Sequence, residues 1–294
     1  MWILLAAVVS AAPFETKYAS TPFGEVAYWD SGEGERALLL LHGLPTSKEL
    51  WREVAPTLAE EYRVIVPDLP NFGDSARTSA GLVHRERAEA IDALLDALAI
   101  DRFVLVAHDL GASVAVDYMG LHGEKVDALV LMSSPVYPDF EEPGVVELLR
   151  RPVLGTVLIG LAPRTLYRVS MKMGLHHDEQ LSQQDVRDYA RFYTRDGGRA
   201  ALRMNLWWGT PEVMFAPYPA ILRDIQVPTL LIHGEQDPFI PIEHAHRLER
   251  DVPDAELLLI AGGGHFLPID VPEQVAEAVS AFLSEAEPAA TEAP

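Results

Sequence analysis

The sequence predicts an α/β domain on a doubly wound, mostly parallel sheet, with a helical segment inserted between two of the strands. Three observations predict it. Short, continuously apolar runs recur along the chain, as strands buried on both faces require. Amphipathic helical periods separate those runs. Between about Pro135 and Leu222 the runs stop, and helical or irregular segments rich in Arg, Tyr and Trp take over.

Taken in order, Gly24–Gly32 (GEVAYWDSG) alternates apolar and polar residues, as an antiparallel strand near a sheet edge does. The buried parallel strands are expected at Ala37–Gly43, Arg63–Leu69, Arg102–Asp109 and Asp127–Ser134, then, beyond the insertion, at Pro228–Asp237 and Ala255–His265. Helices are expected at Lys48–Glu60, His84–Ile100, Gly111–Leu121, Glu243–Arg250 and Pro272–Leu283. In the second of these, Ala88, Ile91, Leu94, Leu95 and Leu98 fall on one face at helical spacing. The core is therefore expected over 14–134 and 223–284, with a helical cap over 135–222. Ligands of open α/β sheets bind beyond the carboxyl ends of the strands, so an insertion leaving from Ser134 would lie over that site as a lid.

The two ends read differently. Trp2–Pro13 (WILLAAVVSAAP) is apolar but too short to span a bilayer as a helix, and the first basic residue is Lys17, so a basic leader region is lacking. Residues 1–13 are read as a packed or frayed extension, with a remnant export signal or membrane-touching segment as the alternative. The cytoplasm is the expected compartment and export the alternative. Residues 285–294, rich in Ala, Glu and Pro, are expected to be disordered.

Composition narrows the function. The 294 residues carry 23 basic and 44 acidic side chains, a net charge of −21, which repels nucleic acid and disfavours an anionic membrane surface. No cysteine is present, which excludes disulfides, thiolate metal sites and thiol nucleophiles. His244 and His246 stand two apart on a predicted helix, so they point to different faces, and no metal site is expected.

The chemistry concentrates at strand ends. The strand RFVLVAHD runs into Ala107-His108-Asp109-Leu110-Gly111 and then a helix, the small–x–nucleophile–x–Gly pattern of a nucleophile elbow. There the helix N-terminus points its free N–H groups at Asp109. Taken alone, Asp109 fits equally well as a plain helix N-cap. Asp237 at the end of PTLLIHGEQD and His265 on the glycine-rich turn after AELLLIAGGG supply an acid and a base in the chain order nucleophile, acid, histidine. Each alone would pass as a turn acid or a loop histidine. The alternative acid position, at the end of the preceding strand, holds Ser133 and Ser134, so Asp237 keeps the role. His42-Gly43-Leu44-Pro45 can aim a backbone N–H into the site, so the N–H groups of Leu44 and Leu110 are the expected oxyanion hole.

On these motifs the chain resembles the α/β-hydrolase superfamily over roughly Ala19 to Leu283. HGLPTSKELWREVAPTLAEEYRVIVPDLPNFGDS and LVAHDLGASVA are similar to the branch of epoxide hydrolases and haloalkane dehalogenases, where an aspartate is the nucleophile. The resemblance implies an α/β-hydrolase fold with a cap, an alkyl ester on Asp109, His265 as the base that activates water, and Asp237 as its charge partner. It implies a small apolar electrophile and water as substrates and no metal or organic cofactor. A carboxylate suits this use, because it is already charged near neutral pH and can displace a leaving group from saturated carbon.

The chain departs from the branch in places. Haloalkane dehalogenases hold the halide with side chains at the positions of Leu44 and Leu110, and neither leucine can donate. Fluoroacetate dehalogenases place arginines just after the nucleophile, and Leu110–Ala115 has none. Epoxide hydrolases need acid groups in the lid, and Tyr167, Tyr189 and Tyr193 are the candidates, with His176 or His177 as alternatives. Tyr189 and Tyr193 stand i,i+4 on one helical face. Phe192, Trp207 and Trp208 are expected to line an apolar pocket. The leading expectation is epoxide hydrolysis to a vicinal diol. Haloalkane dehalogenation or esterase-like activity is the alternative, and a non-catalytic small-ligand receptor is the alternative of another class.

Overall fold

The computed structural model describes residues 13–78, 82–194, 198–206 and 209–286. The expectations for residues 1–12 and 287–294 lie outside them.

Eight strands form one sheet: β1 (Lys17–Thr21), β2 (Gly24–Asp30), β3 (Ala37–Leu41), β4 (Arg63–Pro67), β5 (Phe103–His108), β6 (Val126–Met132), β7 (Thr229–Gly234) and β8 (Ala255–Ile260). Their order across the sheet is β1-β2-β4-β3-β5-β6-β7-β8. Only the β1–β2 and β2–β4 pairings are antiparallel. Alternation along the central strands divides the core in two. Leu38, Leu40, Val104, Val106, Val130 and Met132 pack on one face. Leu39, Leu41, Phe103, Leu105, Leu129 and Leu131 pack on the other. Neighbours on a pleated strand must point to opposite faces, so a continuous apolar run requires a helical layer on each side.

Those layers come from helices α1 (Ala55–Leu58), α2 (His84–Ala97) and α3 (Leu110–His122) between the first strands. Between β6 and β7 lie α4 (Gly144–Arg150), α5 (Pro152–Leu161), α6 (Pro163–Gly174), α7 (Gln183–Thr194), α8 (Gly198–Leu206), α9 (Pro211–Met214) and α10 (Tyr218–Arg223). The chain then adds α11 (Ile242–Asp251), α12 (Leu267–Asp270) and α13 (Pro272–Glu285). Helix α2 buries Ala88, Ile91, Leu94 and Leu95, the stripe its spacing predicts. It ends where Ala99 turns to φ 53°.

Three elements differ from expectation. The helix expected over Lys48–Glu60 is a 3₁₀ turn at Lys48–Trp51 followed by the single turn α1. Pro56 has no N–H to continue a helical ladder from the preceding turn, so it is tolerated only in the first turn of a new helix, where α1 places it. The Lys48 backbone N–H is also diverted to the Asp68 carboxylate at 2.7 Å. Strand β1 was not expected, because KYAST is mostly polar and half-exposed; it holds its place by pairing with β2. Ala255–Ile260 is an edge strand with alternating exposure rather than one buried on both faces.

Candidate active site

Asp109 sits on the one-residue step between β5 and α3, at φ 54° and ψ −121°. This is a costly backbone region for a residue with a Cβ, tolerated where the surroundings over-determine it. The Asp109 N–H extends the ladder to the Met132 carbonyl (3.1 Å), and Asp109 O starts the helix by accepting from Ala112 N. The tight crossing needs glycine at two places. A Cβ on Gly111 would come within 2.7 Å of the Leu41 and His42 carbonyl oxygens, and one on Gly43 would overlap the Asp109 carboxylate. The side chain makes no capping hydrogen bond to α3. Instead Oδ1 accepts the Leu44 N–H at 2.7 Å, and the Leu110 N–H acts on the same carboxylate. Both expected oxyanion donors therefore already act on the Asp109 carboxylate, the Leu44 N–H on Oδ1.

The other oxygen, Oδ2, lies 3.5 Å from His265 Nε2. The opposite ring nitrogen, Nδ1, is 2.9 Å from Asp237 Oδ2. Asp237 has a wholly buried side chain, and its Oδ1 accepts the N–H groups of Phe239 (2.8 Å) and Ile240 (3.0 Å). It is thus a turn residue and the imidazole's partner at once. The structure brings together Asp109 with the adjacent Leu110 N–H, the Leu44 N–H, Asp237 and His265, from four separate segments.

Charge follows from this packing. Burial alone would lower the His265 pKa, but the Asp237 charge and hydrogen bonds to Asp109 and Asp237 outweigh it and push the value up to about 10. Burial would raise both carboxylates, yet His265 holds Asp109 and Asp237 below their ordinary range. The resting group is an imidazolium between two carboxylates.

A cavity of about 110 Å³ lies above these residues, on the scale of a hole that takes one benzene-sized molecule. Its floor includes Asp109, His265, Leu44 and Leu110, and its cap side includes Leu149, Leu166 and Leu206. Tyr167 of α6 and Tyr193 of α7 line it as well, with ring centroids 6.2 Å apart. Both hydroxyls are buried and meet no hydrogen-bond partner among the described residues. Burial pushes both phenol pKa values up, so they remain protonated.

The other cap expectations need correction. Tyr189 does not line the cavity; its ring packs over the Arg52 guanidinium at 5.3 Å. Four residues advance a helix by about 6 Å, enough to carry Tyr193 to the cavity and leave Tyr189 outside it. Phe192 faces away as well, packed against Lys48 and Arg191. His176 is exposed, and the backbone N–H groups of His176 and His177 donate to Asp270. Neither ring lines the cavity. Trp207 and Trp208 lie outside the described residues.

Asp270 is a positioning residue that the sequence analysis missed. Buried in α12, it accepts the N–H groups of Gly264, His176 and His177, each at 2.7–2.8 Å. With the Gly174 carbonyl accepting His265 N–H at 2.6 Å, it ties the histidine loop to the end of α6. A lone acid in the apolar stretch FLPIDV was the available signal. Phe239 and Phe266, edge-on to the His265 ring, were also missed.

A mostly parallel eight-stranded sheet with these groups at its strand ends defines the architecture of an α/β hydrolase. The pattern of the alpha/beta hydrolase family matches residues 38–278, and the chain belongs to that family. It is 27% identical to 2-hydroxy-6-oxo-6-(2'-aminophenyl)hexa-2,4-dienoic acid hydrolase of Metapseudomonas resinovorans, over 94% of this chain and 93% of that one. It is 29% identical to haloalkane dehalogenase of Sphingobium indicum, over 96% and 99%. Among solved structures, the epoxide hydrolase CorEH superposes with a TM-score of 0.80 at 22% identity, covering 93% of this chain and 99% of that one, a likeness of fold.

Proposed function

We propose that the chain hydrolyses small epoxides to vicinal diols through an alkyl ester on Asp109. The observation that carries this reading is the pair of protonated, unpartnered hydroxyls of Tyr167 and Tyr193 in the cavity that holds Asp109 and His265. An epoxide oxygen needs hydrogen-bond donors as its C–O bond opens, and a buried donor without a partner gains most from one.

In the first step Asp109 Oδ2 attacks a ring carbon, the C–O bond breaks, and the oxygen is held by the two phenols. The net proton for the new hydroxyl comes from the His265 imidazolium. Esterification removes the Asp109 charge that supported that proton, so the imidazole can become neutral at this stage. In the second step neutral His265 takes a proton from water, and the hydroxide adds to the ester carbonyl. That carbonyl oxygen is the former Oδ1, already on the Leu44 N–H, and the Leu110 N–H acts on the same group, so the oxyanion forms beside its donors. Collapse releases the diol and restores the carboxylate and imidazolium.

Intact mass of His265→Gln after separate incubation with an aryl epoxide and a bromoalkane tests this. Without its base the enzyme should keep the ester. An adduct of the whole epoxide mass, absent in Asp109→Ala, is the expected result. An alkyl adduct from the bromoalkane alone would replace the reading with dehalogenation. No adduct, with small apolar ligands still bound by Asp109→Ala, would favour a receptor.

A further inference from the structure

The cap carries an outer face that the reaction does not use. Helices α5 and α6 form a hairpin joined at Ala162. On α5, Gly155 and Ile159 turn inward, while Val153 and Leu161 stand about four-fifths exposed (78% and 81%), with Leu154 and Val157 beside them. On α6, Tyr167 and Met171 turn inward, and Val169 and Met173 are half-exposed. Single exposed apolar residues are ordinary, but six on one helical hairpin mark an interaction surface.

Its charge is opposite to that of the chain. The net charge is −21, yet from Leu148 to His177 there are five basic residues and no acidic one. Arg150 and Lys172 are paired with Glu142 and Asp178 outside that stretch, which leaves three arginines to carry the outward charge. Arg151, Arg164 and Arg168 are exposed. Arg164 and Arg168 pair with no carboxylate among the described residues, and Arg151 has only an exposed partner, Glu147, at 3.5 Å.

We propose that this α5–α6 face docks peripherally on the surface of an anionic phospholipid membrane. The aliphatic side chains would enter the headgroup boundary while the arginines meet lipid phosphates. With ten residues, α5 lies in that boundary and cannot cross it. The acidic remainder does not forbid this contact. At physiological salt, charges act over about 8 Å, so the membrane responds to the basic face in front of it. Local charge thus reverses, on this face, the expectation drawn from net charge. A second copy is a poorer occupant, because a two-fold contact sets the patch against itself and opposes Arg164 and Arg168 to their own copies. The arrangement also places lipid one helix away from the candidate site, since Pro163, Leu166, Tyr167 and Ser170 on the inner side of α6 line the cavity.

Co-sedimentation of the full chain with vesicles tests this, comparing pure phosphatidylcholine with a mixture holding about one-third phosphatidylserine. The bound-to-free ratio should be about ten-fold higher on the mixed vesicles. It should fall about ten-fold in Val157→Asp/Leu161→Asp and, separately, in Arg164→Glu/Arg168→Glu, with both variants shown folded by unchanged thermal melting. No sedimentation of the parent overturns the proposal, as does binding that both variants retain, which would place the contact elsewhere on the chain. Light scattering that shows a parent dimer dissolved by Val157→Asp/Leu161→Asp would assign the face to a second copy instead.

Discussion

The Asp109–His265–Asp237 group at the strand ends and the two cavity tyrosines of the cap meet their surroundings in opposite ways. At the strand ends, the carboxylates of Asp109 and Asp237 and both ring nitrogens of His265 face partners before any substrate arrives. In the cap, the Tyr167 and Tyr193 hydroxyls are buried and have none among the described residues. A buried polar group without a partner costs stability, and two such donors stand side by side in the cavity that holds Asp109. The contrast teaches a division of labour within the proposed reaction. The sheet pre-arranges charge, while the cap leaves open donors for an oxygen that arrives with the substrate.

The largest effect expected from breaking this comparison is on the sheet side. Asp109→Ala should lower turnover by at least about 10⁴-fold with the melting temperature retained, read by steady-state kinetics and calorimetry. A variant that keeps turnover within about ten-fold would remove Asp109 from the nucleophile role.

Next comes the cap. Tyr167→Phe and Tyr193→Phe should each slow epoxide opening by about 10²-fold in single-turnover measurements. Neither should destabilise the fold, since no hydrogen bond is lost; lower melting temperatures would show that the hydroxyls do have partners.

A smaller, graded effect follows from pH. His265 binds its proton more tightly folded (about 10) than its ordinary 6.5. Its contribution to stability is therefore full below pH 6.5 and is lost as pH climbs through about 10. Thermal melting of the parent should fall across that window more steeply than that of His265→Gln, and parallel curves would contradict the imidazolium. Epoxide opening should slow over the upper part of the same window, as the proton source empties.

The smallest effect concerns how the two regions are joined. Arg191 of α7 reaches Glu49 at 3.1 Å and Asp74 at 3.4 Å on the core, but it is half-exposed, so solvent screens the pairing. Arg191→Ala should lower the melting temperature by only about 1–2 °C. A larger shift would mean that the cap depends on this link more than on its apolar contacts.

Much of the sheet was legible because a strand buried on both faces leaves a continuous apolar run, as at Ala37–Leu41 and Phe103–His108. Asp109 was legible for a related reason: one sharp turn forces small residues at Ala107 and Gly111 on either side. Strand β1 left no such trace, because its stability comes from pairing with β2 rather than from its own side chains. Tyr189 misled because i,i+4 spacing reports a shared helical face but not how far along the helix the cavity extends.

By itself, then, the sequence determined the layered α/β architecture and put an aspartate, an acid and a histidine at three strand ends. These are local matters of apolar period and turn geometry, acting over a few residues. Tertiary structure alone decided the rest. It set Leu44 N–H on Asp109, bound the His265 loop to α6 through Asp270, and chose Tyr193 over Tyr189 as the companion of Tyr167. Each of those depends on how elements distant in the chain rotate and approach one another. Such docking is a property of packing, which no local run of residues records.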